Sequence, residues 1–487
     1  MKLIERASNA DNESALAVNP HSGNSPIWVF LPLLLLTATA LDLYRLTGKS
    51  LWMDEGFSVF MAQTDFQNFW HLVRGGEINM VLYYLALRFW MFFGRHEFWL
   101  RLLSAFPAII TVAVVYALGK RFFAPLSAFF AALLFAVHPS QVMYAQEMRS
   151  YSLALLLVTL SCLFFLRLLE DGRRLNWLGY VVSSALAPYA HVFSVLVLIT
   201  QWTWLALFFP KQLHKREMKT ALAVLLVLQL PLAWIALSSY HAAIAWVPAV
   251  TADRILDVLP FLSLPKWRAV LYIAAWLGAV VCFFRTNDKA LRSRIMFLVF
   301  WLLFPFLLSL LISLHKPVLV ERFLLISLPG SVLLAADGIR RLPRSISVLA
   351  FLIIAFFSCN SVLSYYRHLH THEDWRGASA YVLSQAQPRD EVVIVPAYCR
   401  FTFDYYRRES PFSPTPVIYG DLETTPSWTP ESMRVWLLVR DLPANPATDA
   451  FIQGLSAKAY FPYEIRETRR FNLIRVLLVT RSTNRAR

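Results

Sequence analysis

Charge is scarce in this 487-residue chain. Asp, Glu, Lys and Arg together make up 16% of it, against about a quarter in an ordinary soluble domain. Cysteine is scarce too, with four residues. Cys162, Cys282 and Cys359 sit in apolar segments and Cys399 stands alone further on, so neither a disulfide framework nor a metal-ligand spacing is present. The 15 glycines are few for a protein built on broken, glycine-interrupted spans. No internal repeat is visible. These shortages exclude a soluble globular enzyme and a disulfide-stapled secreted domain.

Apolar residues fill the space, at 57% of the chain with a mean hydropathy of +0.50. They come in long blocks rather than short alternating runs, the pattern of a polytopic helical membrane protein. The net charge is +15. The basic residues lie mostly in short loops between apolar blocks, so they report membrane topology, and nucleic acid is excluded as a partner.

Basic loops face the cytoplasm, and this orients the chain. The polar stretch 1–26 is a cytoplasmic tail, and the apolar run from Ile27 is a retained signal anchor. "LWMDEGFSVF" (Leu51–Phe60) then lies outside. The next apolar stretch, "MVLYYLALRFWMFFG" (Met80–Gly94), carries Arg88 in its middle and is short of the roughly 20 residues a span needs. Were it to cross, every later basic loop would fall outside, so it is expected to be interfacial or re-entrant. Spans follow from Phe98, Pro125 and Tyr151. Two short passes between Trp177 and Phe209 turn near "APYAH", and further spans start at Ala221, Val270, Phe297, Phe323 and Ser347. The total is about eleven. Beyond residue 366 the composition changes to short β-rich runs, "EVVIVPAY", "PVIYG" and "RVWLLV", with helix-like "WRGASAYVLSQA" between. Residues 27–366 are thus a membrane domain, and 367–487 are an extracytoplasmic α/β domain.

This parity brings the chemistry to one membrane face. The first outer loop holds Asp54 and Glu55. "HPSQVMYAQEMRSYS" (His138–Ser152) holds Glu147, Arg149 and Tyr151, and "HKPVLVERF" holds Lys316 and Arg322. Each residue also has a plainer reading. The acids could solvate a loop, Glu147 could cap the following helix, Arg88 could snorkel, and Lys316 and Arg322 could flank helix ends. His191 lines a cavity or satisfies a helix end. "RHLHTHED", with His368, His370 and His372, reads as a wet juxtamembrane linker more readily than as a metal site. Among the aromatic residues, Trp52 and Trp246 are candidate sugar-stacking surfaces.

"LWMDEGFSVF", "LYYLALRFW", "EFWLRLLSAFPAIITVAVVYALGKRFF" and "HPSQVMYAQEMRSYSLAL" resemble the family 39-like glycosyltransferases. These are bacterial relatives of protein mannosyltransferases and of the aminoarabinose transferase of lipid A, within the GT-C superfamily. "ERFLLISLPGSVLLAADGI" matches a later segment, and the likeness runs from about Ile27 to Ile339. It implies a mainly α, polytopic GT-C fold and a lipid-phosphate sugar donor. By the same resemblance Asp54 is the catalytic base and Glu55 completes the pair. Glu147 and Arg149 match the second outer-loop motif, and Arg322 matches a basic position near the lipid phosphate. Where many relatives have His-Pro-Pro, this chain has Asn79-Met80-Val81.

The chemistry agrees with that reading. Sugar transfer from a polyprenyl phosphate expels a phosphate ester, which needs cations more than an acid. Arg149, Lys316, Arg322 and Arg88 can supply them, with Glu147 and Tyr151 contacting substrate. One carboxylate suffices to take the acceptor's proton, so the two-carboxylate machinery of a retaining hydrolase is not required. No cofactor is demanded, although Asp54 with Glu147 offers oxygen ligands that suit a divalent cation. The expectation is therefore a glycosyltransferase of the inner cell membrane. It moves a hexosyl or pentosyl unit from a polyprenyl-phosphate donor to a lipid, glycan or protein acceptor on the extracytoplasmic side. The rival is a transporter or lipid flippase, which would carry buried charges near mid-membrane.

Overall fold

A computed structural model describes residues 27–244, 247–388, 390–408, 417–419, 433–441 and 463–481. The expected cytoplasmic tail and Trp246 lie outside these residues. The chain begins with α1 (Ile27–Leu43), then three short helices: α2 (Met53–Gln63), α3 (Phe66–Arg74) and α4 (Val81–Trp90). Long apolar helices follow. They are α5 (Glu97–Phe122), the pair α6 (Pro125–Ala136) and α7 (Pro139–Ala145), α8 (Tyr151–Asp171), α9 (Arg174–Ala190), α10 (Val195–Phe208) and α11 (Arg216–Ile244). After α12 (Ala252–Phe261) come α13 (Ala269–Arg285), α14 (Lys289–Ser313), α15 (Leu328–Ile339) and α16 (Arg344–Arg367).

The expected spans are helical, the one from Phe323 beginning as a 3₁₀ turn, and the break between α9 and α10 falls at His191, the last residue of "APYAH". Among the described residues, seven helical segments are long and apolar enough to cross a bilayer. The pair α6 and α7, bent by 57°, makes up to eight. The stretch at Met80 does not lengthen into a span. A short 3₁₀ turn, Ile78–Met80, leads into α4, whose 10 residues give a rod of about 15 Å, half the hydrocarbon thickness.

The chain divides into two compact units. The first comprises Met1–Tyr44, Asp65–Gly94 and Trp99–Tyr365. Its helices turn apolar side chains outward, as at Leu226, Trp234, Leu237 and Phe284, which suits lipid. Hydrogen bonds tie the helices together inside. Ser161 Oγ lies 2.8 Å from Ser184 Oγ, Gln201 Nε2 donates to Ser161 at 3.0 Å, and Tyr180 donates to Gln201 at 3.2 Å. Such bonds act as polar glue where no hydrophobic force drives helices together. Local chemistry sets the helix ends. Asp288 caps α14 through the Ala290 N–H at 2.9 Å, and α8 stops at Gly172, whose φ of 61° disfavours other residues. Asp337, buried near the end of α15, is held bidentately by Arg340 and Arg341.

The second unit comprises Arg45–Thr64, Arg95–Phe98 and Tyr366–Arg487. It contains α17 (Trp375–Gln385), β1 (Glu391–Val395), α18 (Arg400–Arg408), β2 (Val417–Tyr419), β3 (Arg434–Arg440), β4 (Tyr463–Phe471) and β5 (Ile474–Arg481). The strands form one sheet in the order β2-β1-β3-β5-β4. β1 runs parallel to β2 and β3, and β5 runs antiparallel to β3 and β4. β1 is buried throughout, and its stretch Val392–Val395 is continuously apolar rather than alternating. Trp375, Val392, Ile394, Phe403, Trp436 and Leu438 build the core. The first outer loop, expected with the membrane domain, contributes Arg45–Thr64 to this unit.

Candidate active site

The first unit brings its second outer motif together with residues from distant segments. Ser104, on α5, donates to the Arg149 carbonyl at 3.0 Å, and its hydroxyl lies 2.8 Å from the Tyr83 phenol on α4. The short helix α4 therefore fixes the backbone of the Glu147–Arg149 turn. That turn is tightened by an Arg149 N–H to Glu147 carbonyl bond of 2.7 Å. Gln146, just before it, donates to the carbonyls of Leu41, Asp42 and Tyr44 at the end of α1.

His191 occupies the break between α9 and α10. Its ring packs against Tyr151 and Phe323, with centroids 5.4 and 4.9 Å away. Burial first, and then the charges of Arg149 and Arg322, push its imidazolium down to about 3, so the ring is neutral at physiological pH. Asn79 sets its tautomer. The Asn79 Oδ1 accepts from the Val192 N–H at 3.1 Å, which turns its amide nitrogen toward His191 Nε2, 3.4 Å away. An amide nitrogen donates only, so Nε2 accepts and the ring proton sits on Nδ1. Tyr144, with its ring 4.9 Å from that of Tyr151, shares the electrostatic neighbourhood of Glu147, Glu321 and Arg322. Arg322 lies over the Phe323 ring.

The six candidates of this unit divide. Glu147, Arg149, Tyr151 and Arg322 share the surroundings of His191 and Tyr144. Arg88, half-buried on α4, lies over the Phe69 ring at 5.5 Å. Lys316 is half-buried in the segment after α14, where the Val318 and Leu319 N–H groups donate to Ser313 at 3.1 Å each. Sequence reasoning left His191 between two roles and saw Asn79 only as a departure from its relatives. It missed Tyr83 and Ser104, which hold the Arg149 backbone.

The acidic pair belongs to the second unit. Asp54 and Glu55 stand in the first turn of α2, where carboxylates favour the helix dipole. Glu55 is fully buried and accepts from the Trp52 N–H at 3.3 Å, so it organises the turn. Asp54 is half-buried. Behind them Gly56 faces α18. A Cβ at Gly56 would meet Thr402 Oγ1 at 2.5 Å and the Thr402 backbone nitrogen at 2.7 Å. Phe57 and Phe60 pack on Phe401, with centroids 5.2 and 4.4 Å away. Among the described residues, no three His, Cys, Asp or Glu side chains gather to hold a metal ion.

A family model described as dolichyl-phosphate-mannose-protein mannosyltransferase matches residues 79–235, which include α4, the Glu147–Arg149 turn and His191. No curated protein matches the chain by sequence. Solved structures are similar to it in fold. ArnT from Cupriavidus metallidurans in the apo state is similar with a TM-score of 0.63 and 11% identity, over 93% of this chain and 97% of that one. The same protein bound to undecaprenyl phosphate gives 0.61 and 10%, with the same coverage. An oligosaccharyltransferase from Archaeoglobus fulgidus, tethered with an acceptor peptide containing the NVT sequon, gives 0.52 and 11%, over 78% of this chain and 63% of that one. The helical architecture is thus shared almost end to end with ArnT, and the matched segment carries the arginine-bearing turn. The chain is thus similar in fold to these membrane proteins, and its residues 79–235 resemble the mannosyltransferase family model.

Proposed function

We propose that the protein transfers a hexosyl or pentosyl unit from a polyprenyl-phosphate donor to a lipid, glycan or protein acceptor. The reaction takes place on the extracytoplasmic side of the inner cell membrane. The observation that carries this reading is the neighbourhood of the buried His191 ring, where Arg322 lies over the Phe323 ring that packs on His191 and the charges of Arg149 and Arg322 both act on the imidazole. Planar guanidinium groups bind a phosphate group bidentately, and two of them in one neighbourhood suit the phosphate of a lipid-linked donor. The similar ArnT was solved with undecaprenyl phosphate bound, which supports the same choice of anion.

In this scheme Arg149 and Arg322 hold the donor phosphate, with Lys316 and Arg88 adding positive field. Asp54 takes the proton of the acceptor hydroxyl as its oxygen attacks the anomeric carbon. The bond from that carbon to the phosphate oxygen breaks, and the electron pair leaves with the polyprenyl phosphate, whose charge the arginines stabilise. One displacement inverts the anomeric configuration. Glu147 and Tyr151 contact the sugar or acceptor, and Glu55 holds the turn that carries Asp54. His191, neutral and donating from Nδ1, supplies a hydrogen bond without adding to the charge.

The test is turnover of a lipid-phosphate sugar by the purified protein in nanodiscs, read as release of polyprenyl phosphate. Asp54→Asn removes the base while keeping shape, and turnover should fall by about 100-fold or more. A folded Asp54→Asn protein with undiminished turnover would overturn the assignment.

A further inference from the structure

The second unit gathers three stretches of chain, far apart in sequence, into one hydrogen-bonded knot beside the acidic turn. The Glu97 carboxylate, largely buried, receives Arg376 bidentately. Arg376 Nε donates to Oε1 at 2.9 Å, and Nη2 closes the pair on Oε2. The same Oε1 accepts from the Tyr406 hydroxyl at 2.8 Å. The Tyr406 oxygen in turn accepts from the Leu51 N–H at 2.8 Å, three residues before Asp54. Arg376 Nη2 also donates to the Thr47 and Lys49 carbonyls at 3.1 and 3.3 Å. Ser50 is held on both sides: its hydroxyl donates to the Glu373 carbonyl at 2.8 Å and accepts from the Trp375 N–H at 3.0 Å. Burial alone would lower the Arg376 guanidinium, but the Glu97 carboxylate beside it more than offsets this and holds it above its ordinary value.

The segment leading into Asp54 is therefore fixed by side chains of the C-terminal domain. Just beyond Asp54, the close approach of Gly56 to Thr402 and the Phe57 and Phe60 contacts with Phe401 fix the other side. A carboxylate that must meet an acceptor hydroxyl gains from such bracketing, because reacting groups need placement to well within 1 Å. Charge-assisted, bidentate bonds are the ones that define position as well as energy. We infer that Glu97, Arg376 and Tyr406 are positioning residues that hold the Asp54 turn for proton abstraction, which makes the C-terminal domain part of the catalytic apparatus. The inference rests on Asp54 being the base.

The experiment compares full-length wild type with Arg376→Gln, Glu97→Gln and Tyr406→Phe in nanodiscs. The first two remove the ion pair, and the third deletes one hydroxyl. The expected result is a fall in kcat of about 10- to 100-fold for the charge variants and several-fold for Tyr406→Phe, with KM for the lipid donor nearly unchanged. Amide exchange should quicken in the peptide spanning Leu51–Phe57 while β1 and β3 stay protected. A merely structural pair would lower stability without this split between kcat and KM. Wild-type kcat in either folded charge variant would overturn the inference. If both charge variants lose their fold, wild-type kcat in Tyr406→Phe would do so. Asp54→Asn is measured alongside. If Asp54→Asn keeps its activity, the base assignment fails. If Asp54→Asn is inactive while the other variants turn over normally, the positioning inference alone fails.

Discussion

Replacing Gly56 by alanine is the smallest change that probes how the acidic turn is held. In an unpacked helix the substitution would stabilise, because alanine is favoured over glycine by about 1 kcal/mol. The structure predicts the opposite sign. The new methyl carbon would lie 2.5 Å from Thr402 Oγ1, 2.7 Å from the Thr402 nitrogen and 2.8 Å from its Cα, whereas carbon prefers contacts near 3.5–4.0 Å. Two of these three atoms are backbone, so no rotamer change relieves them, and α2 and α18 must separate by about 1 Å. Overpacking of this kind costs about 1–3 kcal/mol, and against the helix gain of about 1 kcal/mol it leaves a net loss of up to about 2 kcal/mol. Asp54, two residues away, moves with the helix, and a 1 Å displacement lowers turnover by up to about 100-fold. Thermal unfolding and kcat of Gly56→Ala, measured on one preparation, test both parts. Adding Thr402→Gly should not rescue the variant, because the backbone nitrogen and Cα remain. A Gly56→Ala protein with a raised Tm and normal turnover would refute the reasoning.

Acid stability should carry the signature of His191. Its folded value, near 3, lies below the usual 6.5, so the unfolded chain binds the extra proton. The contribution is fully present above about pH 6.5 and is lost as pH falls from there toward 3. At pH 5 that loss amounts to about 2 kcal/mol. His191→Phe keeps the ring packing and should flatten the acid-side slope of Tm against pH relative to wild type. Asn79→Ala, which removes the partner of Nε2 and leaves the burial, should keep most of the slope. Equal slopes in wild type and His191→Phe would contradict the assignment of a neutral buried ring.

The membrane helices were legible because bilayer thickness and the bias of basic loops act on whole segments. The "APYAH" turn followed from parity alone, and the break at His191 lies there. "WRGASAYVLSQA" was legible as a helix, and Asp374 caps it through the Gly377 N–H at 2.9 Å. The strand runs in "EVVIVPAY", "PVIYG" and "RVWLLV" are β1, β2 and β3. What stayed hidden depends on pairing across long separations. Nothing in the periodicity near Glu97 marks it as the partner of Arg376, because a single glutamate at a helix start reads equally well as a cap. Leu51–Gln63 reads as an outer loop, and its packing on α18 is carried by Gly56 and Tyr406, which no pattern joins. Asn79 looked like a loss relative to His-Pro-Pro, although its amide satisfies both His191 and Val192.

The proposed reaction requires Arg149 and Arg322 to grip one phosphate. A double-mutant cycle on donor affinity tests it most directly, with Arg149→Ala, Arg322→Ala and the double variant titrated against a lipid-phosphate sugar. Residues sharing one ligand group couple by about 0.5–3 kcal/mol, so the account predicts that the second substitution weakens binding far less than the first. Strictly additive losses, or donor affinity untouched by either change, would contradict it.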